Sequence, residues 1–319
     1  MNMNFLNSKL TLICCTILIL SCSGIMNGSE ISLGKIDEDI YSITLDDINT
    51  GFFKFNNKIY IVDTFLLPSL SKTQKKLIRS IYKKEKFEFL INTNIDIDTI
   101  GGNQVFANET SILSTNDARS ELSENGEKLL LLAIDKIEKK ELKKVKIKPA
   151  NFTFQKELKL YDDEMVIEII DTQNVYGKGN LIVNLKGENV LFAGNMFFNK
   201  IIPDLKDSKI RDYLKELVNI TKMSVSKIIP RHGEVGNFDD FLTYKEYIDL
   251  LISETQKFVK EGKSIEETLD GVNFEKFKNW KYYAERHPVN VQKAYDELQS
   301  ENNQILEFLK AIQQQKKSN

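Results

Sequence analysis

Apolar residues recur along this chain with two different periods. From residue 36 to about residue 90 the pattern is strand-like. Residues 40–45 and 51–55 alternate, Asn56-Asn57 reads as a turn, and residues 58–62 supply the second arm of a hairpin. Residues 71–85 are predicted helical, with Ser71 as the cap and Leu77, Ile78 and Ile81 on the apolar face. Residues 87–91 read as a short buried strand running into a polar loop over 92–103. Residues 117–144 follow as a helix with a strongly charged face. Strands return at 152–154, 157–160, 165–170, 181–184 and 190–192, separated by turn-rich segments, with Asp162, Asp163 and Glu164 as a solvated hairpin tip. Residues 207–222 read as a helix and 226–229 as a last short strand. From Asp239 onward the period is helical. Phe241, Tyr244, Ile248, Leu251 and Phe258 trace one stripe, and Val291, Tyr295, Leu298, Ile305, Phe308 and Ile312 trace another. Two blocks of strands with attached helices predict a mixed α/β (α+β) protein of two packed sheets flanked by helices.

The N-terminus departs from this pattern. After Lys9 comes an apolar run over residues 10–20. At about eleven residues it falls short of the roughly twenty a spanning helix needs, and matches the apolar region of a signal peptide. The ending Ile19-Leu20-Ser21-Cys22 resembles a bacterial lipobox, which implies cleavage after Ser21 and lipidation of Cys22. Cys14 and Cys15 lack the small residue that such processing wants before the cysteine. The alternative is an ordinary secretory signal with a cysteine by chance. The lipobox reading makes residues 1–21 a lipoprotein signal peptide and 22–35 a small, polar, lipidated tether. The partner is then a membrane, and the location the bacterial cell envelope, on its periplasmic or surface face.

Composition narrows the chemistry. Of 319 residues, 41% are hydrophobic and 28% charged, which is a globular balance. Lys and Arg number 44 against 46 Asp and Glu, for a net charge of −2, so affinity for nucleic acid through phosphate neutralisation is excluded. The cysteines are Cys14, Cys15 and Cys22, so nothing beyond them forms a thiolate site. The chain has 2 histidines, His232 and His287, too few for a His-rich zinc centre.

The loops after several strands carry a resemblance. In order they read Asn-Thr-Asn-Ile-Asp-Ile-Asp-Thr-Ile-Gly-Gly-Asn over 92–103, Asp-Thr-Gln-Asn-Val-Tyr-Gly-Lys-Gly-Asn over 171–180, Val-Leu-Phe-Ala-Gly-Asn over 190–195, and Pro-Arg-His-Gly-Glu over 230–234. Taken together they resemble the metallo-β-lactamase superfamily, over residues 36 to about 301. The resemblance is greatest to the quinoprotein-associated and sulfur-oxidation-like hydrolase branch, whose helical tail is similar to Gly262-Lys-Ser-Ile-Glu-Glu and Pro288-Val-Asn-Val-Gln. It implies a four-layer αββα sandwich over 36–238, with a helical C-terminal extension over 239–319 and the site on loops at one edge of the sheets.

The family's first motif is H-x-H-x-D-H followed closely by Gly-Gly. Here Asn94 stands at the first histidine, Asp96 at the second, Asp98 at the aspartate and Thr99 at the third histidine, with Gly101-Gly102 in register. The second-loop histidine falls at Tyr176, or at Asn174 with a short insertion. The bridging aspartate of the "LFAGD" run is Asn195, and the histidine of the "PGHG" turn survives as His232. Zinc prefers imidazole and thiolate in a tetrahedral shell. Neutral amides bind weakly, a phenol is protonated at neutral pH, and the change to Asn195 removes a charge that would hold two cations together. A di-zinc centre is therefore not expected. A single divalent cation (Mg²⁺, Mn²⁺, Ca²⁺ or Zn²⁺) among Asp96, Asp98 and His232 stays open as an alternative. Asp98 has a structural alternative too, as acceptor for loop amides.

Other residues have plainer readings. Asp63-Thr64 is expected to be structural, His287 to lie at the surface or to cap, and Trp280, Tyr282 and Tyr283 to pack in the core. The lysine-heavy run over 138–148 reads as a solvated helix face, with anionic lipid as the alternative. The sequence thus points to a lipid-anchored, non-catalytic binding or interaction protein of hydrolase ancestry without a cofactor, with the old cleft as the place for a small-molecule or protein ligand. The competing readings are a hydrolase with an oxygen-rich mononuclear site, and a surface adhesin.

Overall fold

The computed structural model describes residues 31–132, 139–161 and 165–318. The signal peptide, Cys22 and the tip at Asp162, Asp163 and Glu164 lie outside the described residues.

The chain runs β1 Ile31–Asp37, β2 Ile40–Leu45, β3 Ile48–Phe55, β4 Lys58–Val62, α1 Pro68–Ile81, β5 Lys86–Ile91, α2 Ile97–Ile100, β6 Ser111–Thr115, α3 Asn116–Leu132, α4 Lys139–Leu142 and β7 Phe152–Phe154. It continues with β8 Glu157–Tyr161, β9 Val166–Asp171, β10 Leu181–Lys186, β11 Val190–Asn199, α5 Ile210–Ile220, β12 Lys227–Gly233, β13 Gly236–Asn237, α6 Phe238–Lys260, α7 Ile265–Gly271 and α8 Tyr283–Ser318. Local chemistry explains several boundaries. Asn56 and Asn57 both take positive φ (52° and 56°), the conformation a tight hairpin turn between β3 and β4 requires. α1 starts three residues before the predicted Ser71 because Pro68 occupies the first helical position. Ser71 is not a cap; it is buried, and its hydroxyl accepts from the Phe65 N–H at 3.1 Å.

All 13 strands form one hydrogen-bonded network, but its halves are distinct. β1 to β7 pair in chain order, and β8 to β13 form the second half around β10, β11 and β12. The halves meet where β12 pairs β3 at one residue pair, His232 with Ile48, past the end of β4. Apolar side chains sort into layers accordingly. Phe53, Val62 and Leu113 of the first half pack with Ile167, Val183 and Phe192 of the second, which places a core between two sheets. Leu77 and Ile78 of α1 cover the outer face of the first sheet. Tyr213 of α5, Phe241 and Tyr244 of α6 and Val291 of α8 cover the outer face of the second. Helix, sheet, sheet, helix is the predicted four-layer αββα sandwich.

Several expectations change. Residues 31–35, assigned to the tether, lie in β1, where Ile31 and Leu33 point into the core. The predicted helix over 117–144 is α3 followed by the four-residue α4. β11 runs on to Asn199, because Gly194 (φ +51°) lets a buried strand pass through what reads as a turn. The helices after residue 238 share one core with β11, so α6 is part of the sandwich's outer layer. His287 is not a surface residue. It is 2% exposed, with Nε2 at 2.9 Å from the Val272 carbonyl, Nδ1 at 3.2 Å from the Tyr247 hydroxyl, and its ring stacked on Tyr283. The α8 stripe is buried at Val291 and Leu298, while Ile305 and Phe308 stand out in solvent. Among the described residues no helix is long and apolar enough to cross a membrane.

Candidate functional site

The parallel strands β4 and β5 end side by side, and β11 and β12 end across from them. The loops leaving these ends are held by buried polar contacts. Asp63 follows β4 with φ 62°, and its carboxylate accepts from the Thr93 N–H and the Thr93 hydroxyl, both at 2.7 Å. The Thr64 N–H and hydroxyl both donate to the Thr99 carbonyl, at 2.8 and 2.7 Å. Asn92 and Asn103 exchange amide hydrogen bonds at 3.1 and 2.8 Å. Gly101 and Gly102 are required by close approach: a Cβ would lie 2.1 Å from the Leu66 carbonyl oxygen at the first and 1.8 Å from the Ser71 hydroxyl at the second. These contacts fix residues 92–103 against the sheet ends.

The structure brings most of the sequence-identified positions to one place. Asn94 is buried, and its amide oxygen accepts from the Asp96 N–H at 2.8 Å. Asp96 precedes α2 without capping it; instead Oδ2 accepts from the Asn195 amide across the cleft at 3.1 Å. Asn195 is itself buried, and its carbonyl accepts from the Tyr213 hydroxyl at 3.0 Å. Thr99 is fully buried, and its carbonyl anchors Thr64. His232 lies on the end of β12, not in a free turn, with its ring parallel to Phe198 at 5.6 Å. Its Nε2 is 3.9 Å from Asp98 Oδ2, and both side chains keep about a quarter of their surface exposed (25% and 27%). Burial pushes the imidazole down to about 4, against the raising effect of Asp98, so it is neutral at pH 7.

The second loop separates its two candidates. Tyr176 packs against Phe198 and Tyr213, at 5.6 and 5.3 Å. Burial holds its hydroxyl protonated well above the usual range, with Tyr213 and the Asp96 charge adding to the effect. Asn174 faces the other way, donating to Asp117 and accepting from the Gly179 N–H at 2.7 Å.

Sequence reasoning passed over Arg231. Its side chain has no exposed surface. Nη1 donates to the Asn49 carbonyl at 2.6 Å, Nη2 donates to the Asp98 carbonyl, and Nη2 lies 3.5 Å from Asp98 Oδ1. Asn49 in turn clamps the strand on both sides, donating to the Pro230 and Gly233 carbonyls at 3.0 and 2.7 Å. Asp63, expected to be structural, is a buried carboxyl raised to about 6 by desolvation, an effect that the Arg231 charge opposes. The only sequence signal for Arg231 was a charged residue set between the buried positions of a strand and His232.

Among the described residues, no group of three or more His, Cys, Asp or Glu side chains is placed to hold a metal ion. Asp98 and His232 approach each other, while Asp96 is paired with Asn195.

The sequence matches no protein-family model and no curated protein. Solved structures do resemble it. A metallo-β-lactamase from Pontibacter korlensis superposes with a TM-score of 0.57 at 12% identity, over 69% of this chain and 99% of that one. The DIM-1 metallo-β-lactamase gives 0.56 at 19% identity, over 69% of this chain and 96% of that one. The inverting sec-alkylsulfatase Pisa1 from Pseudomonas sp. gives 0.65 at 13% identity and covers 83% of this chain, which spans 50% of that protein's length. Sheets, outer helices and loop-borne site together place this chain in the metallo-β-lactamase fold, extended by a C-terminal helical region.

Proposed function

We propose that this chain is a lipid-anchored cell-envelope protein that uses the metallo-β-lactamase fold for binding and not for metal-dependent hydrolysis, with ancestry in the quinoprotein-associated and sulfur-oxidation-like branch. The observation that carries the reading is the hydrogen bond from the Asn195 amide to Asp96 Oδ2 at 3.1 Å. With its N–H turned to the carboxylate, the Asn195 amide presents a donor where a metal needs an acceptor, and it occupies one lone pair of Asp96 Oδ2. Asn94 is committed in the same way to the Asp96 N–H. The remaining donors do not fit zinc, because one neutral imidazole and one carboxylate fall short of a tetrahedral shell. The mouth of the cleft offers the His232 ring, stacked on the buried Phe198, and the half-buried Tyr176 beside Asp96 and Asp98, which suits a small-molecule or protein ligand with an apolar face and donor groups.

The test is metal analysis of the purified mature protein, followed by titration with Zn²⁺ and Mn²⁺ and assays against an ester, a thioester and a lactam. The reading expects less than one ion in ten chains and no turnover above buffer. The 3.9 Å approach of His232 to Asp98 favours one second reading, a mononuclear hydrolase. A stoichiometric ion with turnover abolished by His232→Ala establishes that one instead. Anchoring is tested separately: mass spectrometry of the mature N-terminus should find a diacylglyceryl group on Cys22, and Cys22→Ser should release the protein from the membrane fraction.

A further inference from the structure

A guanidinium is always charged, and taking one out of water costs several kcal/mol unless carboxylates and carbonyls surround it. Arg231 meets this condition in an unusual place. It lies beneath the cleft, fully shielded from solvent, with Asp98 Oδ1 3.5 Å from Nη2 and the buried Asp63 lining the same small cavity. Two carbonyls, Asn49 and Asp98, take its terminal N–H groups. Its Nε finds no hydrogen-bond partner among the described residues, and the side chain lines a cavity of about 10 Å³ together with Thr50, Asp63 and Thr93. That space is on the order of one water and no larger ligand.

We propose that Arg231 is the internal cation of this site: a fixed side-chain charge that balances Asp63 and Asp98 in a fold whose solved relatives are named for a metal. The proposal deepens the metal-free reading above and rests on it. It assigns Arg231 a positioning role. The guanidinium holds the Asp98 backbone, and so the residue 92–103 loop, against β3 and β12. Its charge removes the need for an ion to hold the two carboxylates in one protein interior. Lys at this position would keep the charge but lose the fork that reaches Asn49 and Asp98 together.

The test is a charge cycle in the full mature chain at pH 7.5, read by thermal denaturation and by metal content. R231M is expected to lower the melting temperature by roughly 10 °C, since it leaves buried carboxylates without a counter-charge. D63N alone is expected to lower it by a few degrees. The double variant R231M/D63N is expected to melt above R231M, because the carboxylate that lost its partner is now neutral. If R231M does not fold, recovery of soluble, cooperatively melting protein in the double variant is the same result. R231K should fall between the parent and R231M. Zn²⁺ and Mn²⁺ should leave the parent's melting temperature within one degree. Additive effects in R231M/D63N, equal melting of R231K and R231M, or a stoichiometric ion bound beside an intact Arg231 each overturn the proposal. The cycle involves no catalytic assay. Hydrolysis by metal-free protein would overturn the functional reading and leave the cycle standing, whereas an additive cycle would overturn the internal cation and leave the functional reading standing.

Discussion

On its inner side, the loop over residues 92–103 is closed by reciprocal amide bonds between Asn92 and Asn103, by Thr64 on the Thr99 carbonyl, and by glycines against which other backbone packs. On its outer side, facing the cleft, the Asn94 amide oxygen accepts from the Asp96 N–H at 2.8 Å and the Asn195 amide donates to the Asp96 carboxylate at 3.1 Å. In the inner set the glycine pair Gly101-Gly102 keeps the register of the resemblance and Thr99 contributes through its backbone carbonyl, whereas Asn94, Asp96 and Asn195 of the outer set depart from it. The difference follows from what each set does. Inner contacts hold sheet ends together and cannot change without a cost to folding. Outer contacts join two loops across the cleft and tie no strand ends together.

This contrast can be broken at several points. Asp63→Ala strikes the inner side hardest. It strands both Thr93 donors and leaves Arg231 with one carboxylate, so urea denaturation should show a loss of about 4 kcal/mol. Gly101→Ala comes next, at about 3 kcal/mol, because its Cβ would meet the Leu66 backbone carbonyl, which cannot step aside.

Titration sharpens the comparison. Asp63 sits near 6 in the folded chain against an ordinary 3.8, so the stability it contributes is full below about 4 and is lost as pH rises through 6. His232 sits near 4 against an ordinary 6.5, so its contribution is full above 6.5 and is lost as pH falls through 4. The two oppose each other between these limits. Relative to the parent, Asp63→Asn should therefore gain stability from pH 4 to pH 6, and His232→Gln should lose it, each by about 2–3 kcal/mol in denaturant midpoints converted to free energy. Equal slopes in both variants would refute the opposition. At the outer rim, Asn174→Ala removes the contact to Asp117 and the acceptor of the Gly179 N–H at a positive φ (58°), and should cost about 1–2 kcal/mol in the same denaturation, with ligand binding in the cleft unchanged.

How far the sequence could be read follows the same division. The Asn56-Asn57 turn, the α6 stripe and the glycine pair were legible because each rests on local conformation or a short period. β1 was not, since Ser32 and Gly34, alternating with Ile31 and Leu33, look like a polar linker until β2 pairs with them. The length of β11 was hidden by Gly194-Asn195, a dipeptide that usually turns. His287 beside Pro288 reads as a helix start, but α8 begins earlier, and packing of α6, α7 and α8 buries it. Arg231 was invisible for a different reason. Its partners Asn49, Asp63 and Asp98 lie more than a hundred residues upstream, and no one-dimensional pattern announces a charge paired at that distance.

The pairing of β3 with β12 at Ile48 and His232 has one more consequence. The strand pair is reinforced there: the Gly233 N–H donates to the Asp47 carbonyl at 2.7 Å, and the Asn49 amide reaches the Pro230 and Gly233 carbonyls on either side of His232. The imidazole therefore stands on the most heavily bonded stretch of the junction between the sheets, so that loosening Asn49 would unseat the ring and the junction together.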